Sequence, residues 1–290
     1  MKRRLLAALM VAALALLLSP SFESAGAATA PSCGATIAKA GGGYWRCTFA
    51  DEFNGSTLDT TKWMVQRTAL SGFHSGAECF VNLPQNVSVS SGALKLTAVK
   101  EAARFTCASP LAPYKTQYTS GSVSTWGKFA QTYGRFEIRA KFPADKVGGL
   151  QGAVWLNPQK MTTAPWPADG EIDIAEAYSR YSDRAIPYIH YNIAKYDPTV
   201  TNSNCLVGSI AAFHTYAAIW TTTSITITID GKVCTTHQLN PKYPLVKPAP
   251  FNKPFALYLT QALGIGQNGF RPYATTLPAT TQIDYVHIWS

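Results

Sequence analysis

Short runs in which apolar and polar residues alternate recur along this chain, and the residues between them are those of tight turns. Asn86-Val87-Ser88-Val89-Ser90 alternates, Ser91-Gly92 supplies a turn, and Ala93 to Val99 alternates again, which predicts a hairpin. Ser224 to Ile229 and Lys232-Val233-Cys234 flank Asp230-Gly231 and predict a second. From Gly134 to Phe142, Phe136, Ile138, Ala140 and Phe142 point one way and Arg135, Glu137, Arg139 and Lys141 the other. This segment is expected to pair with Tyr118–Ser124. Thr48 to Gly55 reads as a short strand entering an Asn-Gly turn, with Leu58 and Trp63 as core anchors; Asp51 and Glu52 read as surface polarity beside buried Phe49 and Phe53. Tyr188–Asn192, Ala217–Trp220, Phe255–Leu259 and Ile283–Trp289 supply further strands. No segment beyond the N-terminal leader holds a 3.6-residue apolar period, so the fold class is all-β, an antiparallel sandwich or barrel.

One stretch departs from simple alternation. In Glu171-Ile172-Asp173-Ile174-Ala175-Glu176, strict alternation sends Glu171, Asp173 and Ala175 to one face and Glu176 to the core. A β-bulge at 174–175 returns Glu176 to the face of Glu171 and Asp173. Such alternation also decorates the solvated face of any antiparallel sheet. Three acids at the bulge offset, among tryptophans and tyrosines, argue for chemistry instead. Cleaving a glycosidic bond with retention needs one carboxylate as nucleophile and a second carboxyl, kept protonated, to donate to the leaving oxygen, about 5–5.5 Å apart. Crowding like charges raises the pKa of at least one of them, which makes a general acid at neutral pH.

Composition narrows the compartment. Lys2, Arg3 and Arg4 precede an apolar run from Leu5 to Leu18, and Ala25-Gly26-Ala27 and Ala28-Thr29-Ala30 offer cleavage sites at Ala27 or Ala30. The run is too short for a membrane anchor, so residues 1–30 read as a signal peptide and the mature protein as secreted, extracellular and free of the membrane. Residues 31–43, ending in Gly41-Gly42-Gly43, read as a flexible tether, and 44–290 as a single catalytic domain. Losing three basic residues and Glu23 with the leader lowers the formal charge from +9 to +7. The basic residues are scattered, so nucleic acid is not an expected partner. Only 14% of residues are charged, which suits a surface that meets sugars.

All six cysteines follow the leader, in an oxidising compartment, without metal-ligand spacing. Fifteen pairings exist. Loop economy favours Cys33–Cys47, Cys79–Cys107 and Cys205–Cys234.

At these residues the sequence resembles glycoside hydrolase family 16, the secreted jelly-roll endo-glucanases and their relatives. The landmarks are Phe49-Ala50-Asp51-Glu52-Phe53-Asn54-Gly55 with Leu58-Asp59 and Trp63, then Tyr133 to Lys141, Trp166 to Glu176, and Ile283-Asp284-Tyr285-Val286. The resemblance implies a β-jelly-roll sandwich of two curved antiparallel sheets with a substrate cleft on the concave face. It implies Glu171 as nucleophile, Glu176 as acid and then base, and Asp173 as the residue that orients Glu171. The bulged spacing is that of laminarinase-like members, which cleave β-1,3-glucans. Trp155 and Trp166 match positions near the cleft, His190 a histidine near the catalytic centre, and Tyr178 and Gln261 further substrate contacts. Gln151-Gly152 stands where many such members carry Trp-Pro, Ala175 where methionine is common, and Thr260-Gln261 where an asparagine-containing pair is expected. Some relatives hold a structural calcium ion, but no segment here has the ligand spacing to establish one, and no cofactor is expected.

The expected function is thus a monomeric retaining endo-β-glycosidase of β-1,3-linked or mixed-linkage β-glucan. Alternatives are a galactan hydrolase of the agar or carrageenan type, a transglycosylase, or a carbohydrate-binding protein without catalysis.

Overall fold

Alternation becomes strand wherever one face can be buried, and here it does so repeatedly. The computed structural model describes residues 30–192 and 197–290; the leader expected over 1–30 lies, apart from Ala30, outside them. In chain order the strands are β1 (Cys47–Asp51), β2 (Met64–Val65), β3 (Glu78–Phe80), β4 (Val87–Ser90), β5 (Ala93–Cys107), β6 (Tyr114–Ser120), β7 (Ser122–Ser124), β8 (Gly134–Lys141), β9 (Leu150–Pro158), β10 (Glu171–Tyr178), β11 (Ile186–His190), β12 (His214–Trp220), β13 (Ser224–Ile229), β14 (Lys232–Gln238), β15 (Phe255–Leu263) and β16 (Ala279–Trp289).

One sheet runs β14-β13-β12-β8-β16-β5-β6-β3, with β1 added on β16 and β4 on β5; the other runs β11-β10-β9-β15-β7-β2. The inner faces share one core: Phe136 and Ile138 of β8 and Tyr216 and Trp220 of β12 meet Leu156 of β9, Ile172 and Ile174 of β10, and Leu257 and Leu259 of β15. Each such side chain contributes roughly 1.5–3 kcal/mol by leaving water. No helix among the described residues is long and apolar enough to cross a membrane.

Both expected hairpins form. Ser91 and Gly92 have φ of 55° and 69°, Asp230 and Gly231 of 50° and 75°. Positive φ at both turn positions is the type I′ geometry whose twist matches paired strands. β8 buries Phe136, Ile138 and Ala140 and turns Arg135, Glu137 and Arg139 outward, where Arg135 pairs with Glu137 and Arg139 with Asp284.

Its partners correct an expectation. β8 lies between β12 and β16, not beside Tyr118–Ser124. That segment is split at Gly121: β6 joins the ten-stranded sheet and β7 the six-stranded one. A second departure is that β3 runs parallel to β6. Asp51 also differs from the reading as surface polarity. It is buried, accepting the Trp63 indole N–H at 2.7 Å and the Phe53 amide at 3.0 Å, while Glu52 pairs with His287 at the surface.

The three disulfides are Cys33–Cys47, Cys79–Cys107 and Cys205–Cys234, the pairing that loop economy favours. The first, together with a bridge between Ala38 and Tyr44, holds the segment expected as a tether against β1. Residues Pro31–Ser290 form one compact unit.

Candidate active site

The bulge in β10 is present and decides which acids share a face. Against β9, Asp173 pairs with Trp155 and Ala175 with Val154, which leaves Ile174 as the extra residue; against β11, Asp173 pairs with Tyr188 and Glu176 with Ile186. Ile172, Ile174, Ala175 and Ala177 go to the core, while Glu171, Asp173 and Glu176 line one pocket on the outer face of the six-stranded sheet. Gln151, Ala153 and Trp155 of β9 and Thr260 and Ala262 of β15 continue its floor, and Phe73 and Ser75 close it from a distant loop.

Each acid has its own partners. Trp166 directs its indole N–H at Glu171 from 3.3 Å. The loop that carries it is anchored by Asp169, which accepts from the Thr162 amide at 2.7 Å and pairs with Lys253. Asp173 Oδ2 lies 3.1 Å from His190 Nε2. Glu176 is gripped at both oxygens, by the Gln151 amide at 2.7 Å on one and the Tyr178 hydroxyl on the other. Trp155 stacks on Tyr258 at 4.4 Å and donates its N–H to Thr260 at 3.1 Å. Trp166, 62% exposed, leaves its indole open above His190.

Burial drives the electrostatics. It pushes the Glu171 carboxyl up to about 8, aided by the charge of Asp173 and opposed by His190 and the Trp166 donor. Asp173, fully enclosed, is raised well above the usual carboxylate range by burial and by Glu176. Glu176 is also raised by burial, against the pull of Tyr178 and Gln151. Burial lowers the pKa of His190. Three carboxyls so close cannot all be charged, and their titration belongs to the group. A protonated Asp173 removes its repulsion from Glu171.

A stability test follows, with a definite sign. A carboxyl whose folded pKa exceeds its unfolded value costs nothing at low pH and costs stability as pH rises through the folded value. Glu171→Gln is expected to match the parent Tm near pH 4.5 and to exceed it by roughly 10–20 °C at pH 8, since a carboxyl raised from 4.5 to about 8 costs about 5 kcal/mol once it is charged. Thermal denaturation at the two pH values checks this; a gap that narrows with rising pH overturns it.

Of the residues expected here, Glu171, Asp173, Glu176, Trp155, Trp166, His190 and Tyr178 are brought together. Gln261 is not. It sits between Thr260 and Ala262, which face the pocket, so strand alternation turns it to the other side, where it is buried and accepts from the Thr281 hydroxyl at 2.7 Å. Phe73, Ser75, Thr260 and Ala262 line the pocket without having been anticipated. Gln151, read only as a lost aromatic, is a partner of Glu176. Among the described residues, Glu171, Asp173 and His190 also bring one ligand atom each within 4.8 Å of the others, the spacing at which side chains can share a cation.

The model of glycosyl hydrolases family 16 matches residues 75–286. The chain belongs to that family. Family 16 relatives include glucan endo-1,3-beta-glucosidase A1 of Niallia circulans, 32% identical over 82% of this chain and 37% of that protein. Keratan-sulfate endo-1,4-beta-galactosidase of Sphingobacterium multivorum is 29% identical over 83% of this chain and 54% of that protein. This chain therefore spans about a third to a half of the length of these two. The laminarinase structure from Rhodothermus marinus superposes with a TM-score of 0.71 at 29% identity, covering 84% of this chain and 97% of that one. The shared architecture is the two-sheet jelly roll of the family 16 laminarinases.

Proposed function

We propose that this family 16 glycoside hydrolase is a secreted retaining endo-glycosidase that cleaves β-1,3-linked or mixed-linkage β-glucan by double displacement. Residues 1–30 are its export signal, and the three disulfides suit an oxidising exterior. Glu171 attacks the anomeric carbon and forms the glycosyl-enzyme. Glu176 protonates the departing oxygen and then takes a proton from water. Asp173 holds a proton beside Glu171 and tempers its charge, with His190 fixing the Asp173 carboxyl. Trp155 and Trp166 offer indole faces to sugar rings. The observation that carries this reading is the bulge in β10, with its three acids in one pocket and Glu176 held at both oxygens.

A second substrate class has its own support. Relatives of comparable identity are named for glucan in one case and for keratan sulfate, a sulfated galactose-containing polymer, in another, and the mature chain is net basic. Release of reducing ends from laminarin, barley β-glucan, agarose, carrageenan and keratan sulfate separates them. Cleavage of laminarin at least about tenfold faster than of any of the three galactose-containing polymers is the expected result; the reverse order assigns the enzyme to those polymers. Product lengths by mass spectrometry distinguish hydrolysis from transfer to an acceptor sugar.

A further inference from the structure

The pocket has two walls that the acids do not build: the loop at 73–77 and the outer end of β15. A single buried carboxylate joins them. Glu78, the first residue of β3, is fully shielded from solvent. One of its oxygens accepts the Ser75 amide at 2.8 Å; the other accepts the Gly76 amide at 3.1 Å and, at 3.1 Å, the Leu263 amide at the end of β15. It belongs to no ion pair among the described residues, so backbone N–H groups alone balance it. Gly76 lies so near β15 that a Cβ there would stand 2.5 Å from the Leu263 carbonyl oxygen.

A buried carboxylate in such a place is costly unless its oxygens are satisfied, and here each donor comes from a segment that reaches the pocket. Ser75 lines it directly, and Phe73, two residues before, packs between Phe80 at 5.4 Å and Trp155 at 5.7 Å. On the other side, Leu263 follows Ala262 and Thr260. We propose that Glu78 is a positioning residue for substrate: its carboxylate locks loop 73–77 onto β15 and so sets a wall of the pocket that the three acids do not build. The inference rests on the glycosidase reading above and adds a residue that touches no substrate. It acts on binding, because the locked wall stands on β15, which β9 separates from the strand that carries the reacting carboxyls.

Glu78→Gln tests this in the full chain. An amide keeps the size of the side chain but turns one acceptor into a donor aimed at N–H groups, so the lock opens on one side. The expected result is a five- to twentyfold rise in KM for the polysaccharide the parent cleaves best, with kcat within about twofold. In the Phe73→Ala background the same substitution should raise KM by less than twofold further, since both changes dismantle one wall. Amide hydrogen exchange over 73–80 and 259–266 should accelerate at least tenfold without any substrate present. Gly76→Ala, whose Cβ would stand 2.5 Å from the Leu263 carbonyl oxygen and 3.2 Å from the Glu78 carboxylate, pushes the loop off β15 without changing the Glu78 side chain and should reproduce the KM change if Glu78→Gln folds poorly. Unchanged KM in both variants, a fall in kcat alone, or fully additive effects with Phe73→Ala overturns the proposal. A parent protein that cleaves no polysaccharide overturns the glycosidase reading instead, and unaltered exchange then overturns the lock independently.

Discussion

Glu176→Gln is expected to lose about 10²–10⁴-fold in kcat/KM on β-glucan, and Glu171→Gln roughly 10⁴-fold or more, with both proteins folded. The two losses have different causes and can be told apart by the leaving group. Glu176 supplies a proton to a sugar oxygen that departs poorly without one. An aryl glucoside whose phenolate leaves unaided does not need that proton, so Glu176→Gln should form the glycosyl-enzyme on it at nearly the parent rate. It should then stall, because the same residue activates water. Glu171→Gln has no such escape, since the bond to the enzyme is never made. Rapid-mixing kinetics should therefore show a burst of phenol from Glu176→Gln and none from Glu171→Gln. Equal losses on both substrates in the Glu176 variant would remove it as the acid.

The elements legible in the sequence are those with one wet face. β8 and the hairpins at Ser91-Gly92 and Asp230-Gly231 display alternation and turn chemistry together, and local physics suffices for both. β9 showed no comparable signal. Seven of its nine positions are buried, because it lies between β10 and β15 with the core on one side and the pocket floor on the other. The pairing of Tyr118–Ser124 failed for a different reason: Gly121 carries the chain from one sheet to the other, and periodicity cannot report which sheet a strand joins. In the site, the bulge was readable because three acids at that offset make no sense on a strictly alternating strand. Phe73 and Ser75 were not, since their place depends on contacts with Glu78, Trp155 and Leu263 far along the chain. Gln261 was misplaced by a single position, and one position on a strand is the whole difference between pocket and core.

The crossover at Gly121 carries the other large effect, this time on stability. Gly121→Ala is expected to cost about 3 kcal/mol and to lower Tm by roughly 6–12 °C. A Cβ there would stand 2.1 Å from the Asn86 carbonyl oxygen and 3.2 Å from Val87 Cγ2. That oxygen is not free to retreat, because it accepts the Thr97 amide at 2.9 Å, while the Asn86 side chain donates to the Thr97 carbonyl at 2.9 Å and to the Thr119 hydroxyl at 3.1 Å. The Gly121 carbonyl in turn holds the Gln261 amide at 3.1 Å. A methyl group must therefore move backbone that two sheets share, not a side chain that can rotate. Gly127→Ala supplies the comparison: it has φ of +74° and nothing within 4 Å of its would-be Cβ, so it should lose only the roughly 1–2 kcal/mol of left-handed strain. Urea denaturation of both variants decides the matter, and equal losses would show that backbone freedom, not the contact with Asn86, is why glycine stands at the crossing.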